Sequence, residues 1–324
     1  MKEVMYWEAI SNAIAEEMDR DETVFVIGEN VQSSTFMATA GLFDKFGAER
    51  IMDSPLSELA IAGATVGAAT AGYRPICDMT FADFMVYCAA DEILLKAANQ
   101  NFVHGGVVNA PCVFMGIAGG GFGAGPEHSH IPAAMIMNHP GLKLAMPSTV
   151  YDAKGLMKTA IRDNSPVIYF FHKKLLGLKE EIPEEEYTIP FGVADIKREG
   201  TDVTVVATAY MVQLALEAAK KLEDKISVEV IDPRTLEPLD MDTILTSVKK
   251  TNKVVVVDED TERCGVGAEI GQQIMEKAFD YLDGPVHRVC SANMPIPGAT
   301  LEKHCMPQPE QVVAAIEAAA YLRK

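Results

Sequence analysis

The chain has 324 residues, of which 48% are hydrophobic, and its formal net charge is −18 at pH 7. A single hydrophobic core usually stops growing at roughly 250–300 residues, so the length predicts two domains and the composition predicts a globular protein. The acidic balance argues against binding to nucleic acid or to an anionic membrane surface, because both carry negative charge, and it is compatible with a basic protein partner.

Short apolar strands alternate with helices over the first half of the chain. Ile10, Ala13, Ile14 and Met18 recur at the spacing of an N-terminal helix. The composition predicts strands at 24–28, 74–84, 111–118, 142–148 and 166–171, with helical patterns at 85–100 and 151–163. This alternation is typical of a parallel α/β architecture.

An acidic stretch punctuated by proline, LKEEIPEEEYTIP (178–190), interrupts the alternation and is interpreted as a domain linker. The alternation then resumes, with strands predicted at 201–207, 226–232, 253–260 and 286–291 and helices at 211–222, 241–250, 265–280 and 309–322. The fold class is therefore predicted as α/β with two doubly wound domains, residues 1–185 and the smaller 186–324.

Residues 54–73, SPLSELAIAGATVGAATAGY, carry a single charge, on Glu58. An isolated carboxylate in an apolar setting is costly, so such a group is either paired or kept for chemistry. Ser54 and Pro55 resemble a helix N-cap and first helical position, and an acidic residue in the first turn favours the helix dipole without any function. Residues 59–73 are too few to span a bilayer and predict a buried core helix.

The cysteines and the N-terminus predict a cytoplasmic protein. The six cysteines include no C-x-x-C pair, and four of them lie in hydrophobic runs, so we expect reduced thiols. The N-terminal segment is acidic and patterned as a helix, unlike a signal peptide.

A glycine-rich loop, GIAGGGFGAGPEHSH (116–130), follows the strand at 111–118. A phosphate-binding loop of the G-x-G-x-x-[GA] type should open a helix, but Pro126 and two histidines follow instead, and G-K-[ST] is absent. Zinc is also disfavoured, because His128 and His130 lack further ligands at a recognisable spacing. A loop histidine suits proton transfer or charge stabilisation, or it makes only a structural hydrogen bond.

Taken in order, the motifs make this chain resemble the β subunit of the thiamin-diphosphate-dependent, decarboxylating component of 2-oxo acid dehydrogenase complexes, which includes pyruvate, branched-chain and acetoin members. The resemblance covers essentially the whole chain. It rests on GENV (28–31), SPLSELAIAGATVGAATAGYRPI (54–76), FADF (81–84), EHSH (127–130), PGLK (140–143), DAKGL (152–156), AIRDNSPVI (160–168) and VIDPRTLEPLD (230–240). It implies an N-terminal domain of the thiamin-pyrimidine-binding type and a second domain like the transketolase C-terminal domain.

The resemblance implies roles for four residues. Glu58 would hydrogen-bond a nitrogen of the cofactor's aminopyrimidine ring, and Phe84 and Leu56 would line the same pocket, with ordinary core packing as the alternative for both. His128 would face the reacting centre and assist acyl transfer to the lipoyl group. This chain reads EHSH where many relatives have glutamine at the last position, so His130 competes with His128 for that role.

Metal ions and partners are implied as well. The family carries a potassium ion on backbone carbonyls at positions matching Cys112, Ala160, Ile161, Asp163 and Ser165. The chain contains no Gly-Asp-Gly, which opens the thiamin diphosphate signature, so magnesium and diphosphate would be held by an α subunit. The implied assembly is an α2β2 heterotetramer that binds a lipoyl acyltransferase core.

Two functions remain open on the sequence. The first is half of an enzyme that breaks a carbon–carbon bond next to a carbonyl and transfers the acyl group to lipoamide, with the cofactor supplying the hard chemistry. The second is mainly a docking and assembly subunit, which has no need of Glu58 or His128. The sequence does not decide whether the substrate is pyruvate, acetoin or a branched-chain 2-oxo acid. The segments 147–156 and 184–190 resemble those of acetoin or pyruvate members more than those of branched-chain members. A self-sufficient transketolase-like enzyme is disfavoured by the length and the missing diphosphate signature.

Overall fold

The structure is a computed structural model that describes residues 1–321. The chain divides into two compact units. The first contains Met1–Ala118 and Met135–Phe191, and the second contains Gly119–Ala134 and the chain from Gly192 onward. The last change of unit along the chain follows Phe191, whereas the limits 1–185 and 186–324 stay a prediction of the domain boundary.

The first unit is built around a parallel sheet. Its strands are β1 (Lys2–Met5), β2 (Val24–Gly28), β3 (Ile51–Asp53), β4 (Arg74–Phe81), β5 (Val113–Ala118), β6 (Lys143–Ala145), β7 (Val167–His172) and β8 (Lys179–Ile182). Its helices are α1 (Tyr6–Arg20), α2 (Leu42–Phe46), α3 (Glu58–Thr70), α4 (Ala82–Tyr87), α5 (Ala98–Val103) and α7 (Val150–Arg162), while α6 (Ala133–Met137) straddles the change of unit along the chain. A π-helical turn, Asp91–Ala97, precedes α5.

Within this unit the parallel strands lie in the order β6-β7-β5-β4-β2-β3. Every residue of β5 and β7 is buried, as expected for central strands covered on both faces. The strand predicted at 74–84 ends earlier, at Phe81. Asp78 accepts a hydrogen bond from the Thr80 N–H at 2.9 Å, and Thr80 has a φ of 62°, so the backbone turns there and α4 begins at Ala82.

The stretch interpreted as a linker, 178–190, is packed into the first unit. Its beginning forms β8, which pairs antiparallel with β1. Further along, Tyr187 stacks on Tyr151 with 4.4 Å between ring centroids, and Ile189 is buried against Gly155. The acidic residues that suggest a linker therefore lie on a segment whose apolar side chains are fixed against α7.

Charged side chains are buried between α1 and α7. The Lys158 ammonium, whose side chain is 2% exposed, lies 2.8 Å from the Glu16 carboxylate. The Arg162 guanidinium lies 2.6 Å from the Glu17 carboxylate, whose side chain is 1% exposed. Buried charges of this kind are tolerated because each has an opposite partner, and removing one partner alone is strongly destabilising.

The second unit contains its own sheet. Its strands are β9 (Asp195–Arg198), β10 (Val203–Ala207), β11 (Val228–Asp232), β12 (Thr235–Glu237), β13 (Val254–Thr261) and β14 (His287–Ser291). Its helices are α8 (Tyr210–Lys221), α9 (Met241–Thr251), α10 (Val266–Ala278) and α11 (Pro309–Ala320), together with a 3₁₀ segment, Ala299–His304. The helix predicted at 309–322 is observed to Ala320, and Leu322 lies outside the described residues.

Five strands of the second unit lie in the order β14-β13-β10-β11-β9, parallel except for β9 at the edge. The valine run of β13 is buried on both faces, since α8 and α11 pack together and α9 and α10 pack together against the sheet. The prediction of an α/β fold with two doubly wound sheets is confirmed.

Candidate functional site

Glu58 is the first residue of α3, and Ser57 is the N-cap. The helix therefore begins three residues later than the Ser54-Pro55 pair suggests, but Glu58 still lies in its first turn. The side chain is half-buried. Among residues 1–321, no group donates a hydrogen bond to its carboxylate, which leaves both oxygens available to a ligand.

Glu29 lies beside Glu58 and was not singled out from the sequence, although it belongs to the GENV motif. Its carboxylate accepts the Ser57 N–H at 3.1 Å, which fixes the turn before α3. Burial, and then the negative charge of Glu58, raise the pKa of Glu29 against the lowering effect of that hydrogen bond. Burial followed by the charges of Glu58 and Glu29 also raises the pKa of Cys88, so the end of α4 faces the same two acids.

Phe84 and Leu56 have different surroundings. Phe84 is half-buried on α4 and packs edge-to-face on Phe81 with 5.4 Å between ring centroids. Phe81 in turn packs on Phe36 at 5.1 Å. Leu56 is 78% exposed and precedes α3. The first residue thus belongs to an aromatic cluster, and the second presents its side chain to the surface of the chain.

The expectation that α3 is a buried core helix is wrong in this single chain, because only one side of the helix is buried. The buried side consists of Ile61, Ala62, Thr65, Val66 and Ala69. The other side is made of small and apolar residues that are nevertheless exposed, Leu59, Ala60, Ala64 and Gly67. The apolar pattern along α3 is too uniform to predict which side of the helix faces water.

The glycines of the 116–130 loop have a conformational reason. Gly119, Gly121, Gly123 and Gly125 all have positive φ, between 64° and 125°, a region that other L-residues rarely adopt. No helix opens at Pro126, and the next helix, α6, begins at Ala133. The glycines therefore shape an irregular loop rather than a turn that opens directly into a helix.

His128 and His130 lie on this loop, and each is half-buried, whereas Ser129 between them is fully buried. The loop is closed by two backbone hydrogen bonds, from the Gly119 N–H to the His130 carbonyl at 3.3 Å and from the His128 N–H to the Gly125 carbonyl at 3.2 Å. Both histidines are half-buried, so their burial does not decide which of them acts.

Four of the five carbonyls matched to a potassium site accept hydrogen bonds. The Arg74 guanidinium donates to the carbonyl oxygens of Ile161 at 3.0 Å and Asp163 at 2.8 Å. The Cys112 and Ala160 carbonyls accept backbone N–H groups. A carbonyl oxygen has two lone pairs, so these bonds leave acceptor capacity, but the positive charge of Arg74 opposes a cation at that position.

The described residues contain neither a side-chain cluster that could bind a metal ion nor a helix that could span a membrane. In the part of the chain that the structure describes, no group of three or more His, Cys, Asp and Glu residues is arranged to hold a metal ion. Within residues 1–321, no helix has the length and apolar character needed to cross a bilayer. All six cysteines are free thiols, as expected from their spacing.

Comparison with known proteins identifies the family. Residues 2–179 match the transketolase pyrimidine binding domain, and residues 192–312 match the transketolase C-terminal domain. The β subunit of 2-oxoisovalerate dehydrogenase from Bacillus subtilis is 44% identical over 98% of each chain. The pyruvate dehydrogenase E1 component subunit beta of Rickettsia felis is 43% identical over 97% of each chain.

The chain belongs to the family of E1 β subunits of 2-oxo acid and acetoin dehydrogenases. An acetoin:2,6-dichlorophenolindophenol oxidoreductase subunit beta from Cupriavidus necator is 43% identical over 95% of this chain and 94% of the relative. Membership in this family implies thiamin diphosphate as the cofactor and an α subunit as the partner. The three identities are too similar to select one substrate.

Solved structures confirm the fold. A split-gene transketolase, described as an inactive β4 tetramer, matches with a TM-score of 0.81 and 24% identity over 99% of each chain. The transketolase of Leishmania mexicana matches with a TM-score of 0.73 and 18% identity, over 99% of this chain and 46% of the other. At these identities the likeness concerns the fold alone.

Proposed function

We propose that this chain is the β subunit of a thiamin-diphosphate-dependent dehydrogenase that cleaves a carbon–carbon bond next to a carbonyl, by decarboxylation of a 2-oxo acid or cleavage of acetoin, and transfers the acyl group to lipoamide. The observation that carries this proposal is Glu58. It is the single charge of its segment, it lies in the first turn of α3, and no donor within residues 1–321 pairs its carboxylate.

Glu58 would bind a ring nitrogen of the aminopyrimidine and hold a proton there. Glu29 lies beside this carboxylate, and burial and the charge of Glu58 raise the pKa of Glu29, so two acids lie close together where the ring would bind. Phe84 and Leu56 would pack on the ring and exclude water, which strengthens the hydrogen bond. When bound, the cofactor supplies the nucleophilic carbon and accepts the negative charge left by bond cleavage.

His128 would hold and move the proton required when the acyl group passes to the dithiolane of lipoamide. Its position on the loop and its half-buried state support this role, because histidine is the side chain most often used for proton transfer in catalysis. His130 has similar exposure and stays the alternative at this position.

The expected partners are an α subunit and a lipoyl acyltransferase core. Without a Gly-Asp-Gly segment, the chain would rely on an α subunit to hold magnesium and the diphosphate, in an α2β2 heterotetramer. The exposed small-residue side of α3 supports contact with a neighbouring subunit. The net charge of −18 supports docking of a basic domain of the lipoyl acyltransferase core. The free thiols support a cytoplasmic location.

We also propose a structural potassium ion on the carbonyls of Cys112, Ala160, Ile161, Asp163 and Ser165. Carbonyl oxygens are suitable ligands for a hard cation. The hydrogen bonds from Arg74 to two of these oxygens limit its strength.

The deciding experiment is reconstitution of the chain with its α subunit. Reduction of dichlorophenolindophenol is measured with pyruvate, 3-methyl-2-oxobutanoate and acetoin, each with and without thiamin diphosphate and magnesium. Cofactor-dependent turnover of at least one substrate supports the proposal and identifies the substrate. An assembled pair that binds the acyltransferase core but turns over none of them would instead indicate a docking subunit.

A further inference from the structure

The loop that carries His128 is held at its start by two carboxylates from distant parts of its own unit. The Gly120 N–H donates to Glu259 Oε1 at 2.7 Å, and the Gly121 N–H donates to Glu302 Oε1 at 2.8 Å. Glu259 lies on β13, and Glu302 lies on the 3₁₀ segment Ala299–His304. Glu259 and Glu302 are 2% and 9% exposed; the bond to Gly120 is buried, and the bond to Gly121 is partly buried.

Close packing holds the same turn. A Cβ at Gly120 would lie 2.2 Å from Met306 Sδ and 2.7 Å from Glu302 Oε1, so a larger residue there would displace the ends of both side chains. The Ala299 N–H donates to the Gly123 carbonyl at 2.9 Å. The 3₁₀ segment thus contacts the loop through a side chain and through its backbone.

The held turn is directly connected to the histidines. Gly119, next to Gly120, donates its N–H to the His130 carbonyl. At the other end of the loop, the Ala134 N–H lies 3.4 Å from Asp260 Oδ2. A glycine-rich loop has a large conformational entropy, so its histidines keep one position only if anchors of this kind restrict it.

We propose that Glu259 and Glu302 are positioning residues that set the place of the His128–His130 segment through the N–H groups of Gly120 and Gly121. Both are acceptors rather than proton donors in this role. Ionised acceptors make shorter and stronger hydrogen bonds than neutral ones, which suits an anchor for a flexible backbone. For its kinetic consequence the inference rests on the proposed function, in which His128 acts on the acyl group.

The test compares Glu302→Ala with Glu302→Gln in the chain reconstituted with its α subunit. Alanine removes the acceptor, whereas the glutamine carbonyl still accepts the Gly121 N–H. We expect Glu302→Ala to lower kcat for lipoamide-dependent turnover on the order of 10–100-fold, with KM for the 2-oxo acid or acetoin changed less than about threefold, because misplacement by about 1 Å has effects of this size. Glu302→Gln should restore most of kcat. Glu276→Ala, an exposed residue on α10, is the matched control.

Hydrogen exchange of the purified full chain gives a readout that does not depend on activity. Faster exchange at the amides of 119–130 in Glu302→Ala, with unchanged exchange in β10 and β13, supports positioning. Unchanged exchange in the loop, or a Glu302→Gln variant as slow in turnover as Glu302→Ala, would overturn the inference. If no variant and no wild type shows turnover while the exchange result holds, the proposed function has failed and the anchoring has not.

Discussion

The segment that carries Glu58 and the loop that carries His128 are held in different ways. Glu58 begins a regular helix, but its carboxylate has no donor within residues 1–321 and the adjoining side of α3 exposes leucine, alanine and glycine. The histidine loop has an irregular backbone with four positive-φ glycines, yet its own unit supplies carboxylates and packing that restrain it. Within residues 1–321, the first region leaves a carboxylate and an apolar surface without protein partners, whereas the second is restrained by its own unit.

The largest effect should appear in cofactor binding by the chain alone. The chain contains no Gly-Asp-Gly, so under the proposed function the α subunit supplies the groups that hold magnesium and diphosphate. Each charge-assisted hydrogen bond to the diphosphate is worth roughly 1.5–3 kcal/mol, and about 1.4 kcal/mol is tenfold in affinity. We therefore expect the purified chain to bind thiamin diphosphate several orders of magnitude more weakly than the complex, and to be inactive. Calorimetric titration with and without the α subunit measures this. Micromolar binding of thiamin diphosphate by the chain alone would show that the Glu58 region needs no second subunit to hold the cofactor.

Glu58→Gln should leave the fold intact and lower turnover of the reconstituted enzyme by about 100-fold or more, because the amide keeps the shape but does not hold the proton in the same way. The exposed Glu49→Gln is the control and should keep full activity. Steady-state turnover and circular dichroism are the measurements. Activity within about threefold of wild type, which is under 1 kcal/mol of barrier, would contradict the role of Glu58.

His128→Ala should lower lipoamide-dependent turnover about 10–100-fold and reduction of an artificial electron acceptor much less, because a proton-transferring group contributes chiefly to the step that it serves. The ratio of the two rates in one preparation is the measurement. His130→Ala is the matched variant on the same loop. A larger loss of lipoamide-dependent turnover in His130→Ala than in His128→Ala would assign the role to His130. Equal losses in both assays for His128→Ala would show that His128 does not act specifically in acyl transfer.

Asp260, whose carboxylate lies near the end of the histidine loop, should make the stability of the fold depend on pH. Burial, and then the charge of Asp258, raise the pKa of Asp260 to about 7, although backbone N–H groups of Thr261, Ala134 and Val266 lower it. An aspartate of raised pKa stabilises the fold while protonated. That contribution is complete below the unfolded value near 4 and is lost as the pH rises through about 7.

Asp260→Asn removes this titration. Relative to wild type, the variant should therefore gain roughly 1–3 kcal/mol of unfolding free energy between pH 4.5 and pH 7.5. Urea unfolding at both pH values measures the difference, with Asp280→Asn on the surface as the control. If the unfolding free energies of wild type and Asp260→Asn change equally between the two pH values, the Asp260 carboxyl has the same pKa in the folded and unfolded states.

The smallest effect concerns potassium. At ten times its dissociation constant a cation adds about 1.4 kcal/mol, so replacing potassium chloride with choline chloride should lower the thermal midpoint by about 2 °C. Sodium chloride at equal ionic strength controls for screening. Equal midpoints in all three salts would leave Arg74 as the sole cation bound to the Ile161 and Asp163 carbonyls.

The sequence by itself determined the alternation of strands and helices, the two sheets and the residue types of the candidate sites. Apolar runs such as 253–260 and turn residues act over a few positions, so their pattern is readable without the fold. Glu58 stands out for the same reason, as one charge within an apolar segment.

Only the tertiary structure decided which residues meet. Glu259 and Glu302 lie 139 and 181 residues from the glycines that they hold, and no local pattern links them. In the same way, Lys158 is a charged residue of the kind expected on the exposed face of a helix, but its side chain is buried beside Glu16. Burial and pairing depend on elements that packing brings together, whereas propensity acts between neighbours in the chain. The exposed side of α3 follows the same rule, because its uniform apolar pattern does not say which side the sheet covers.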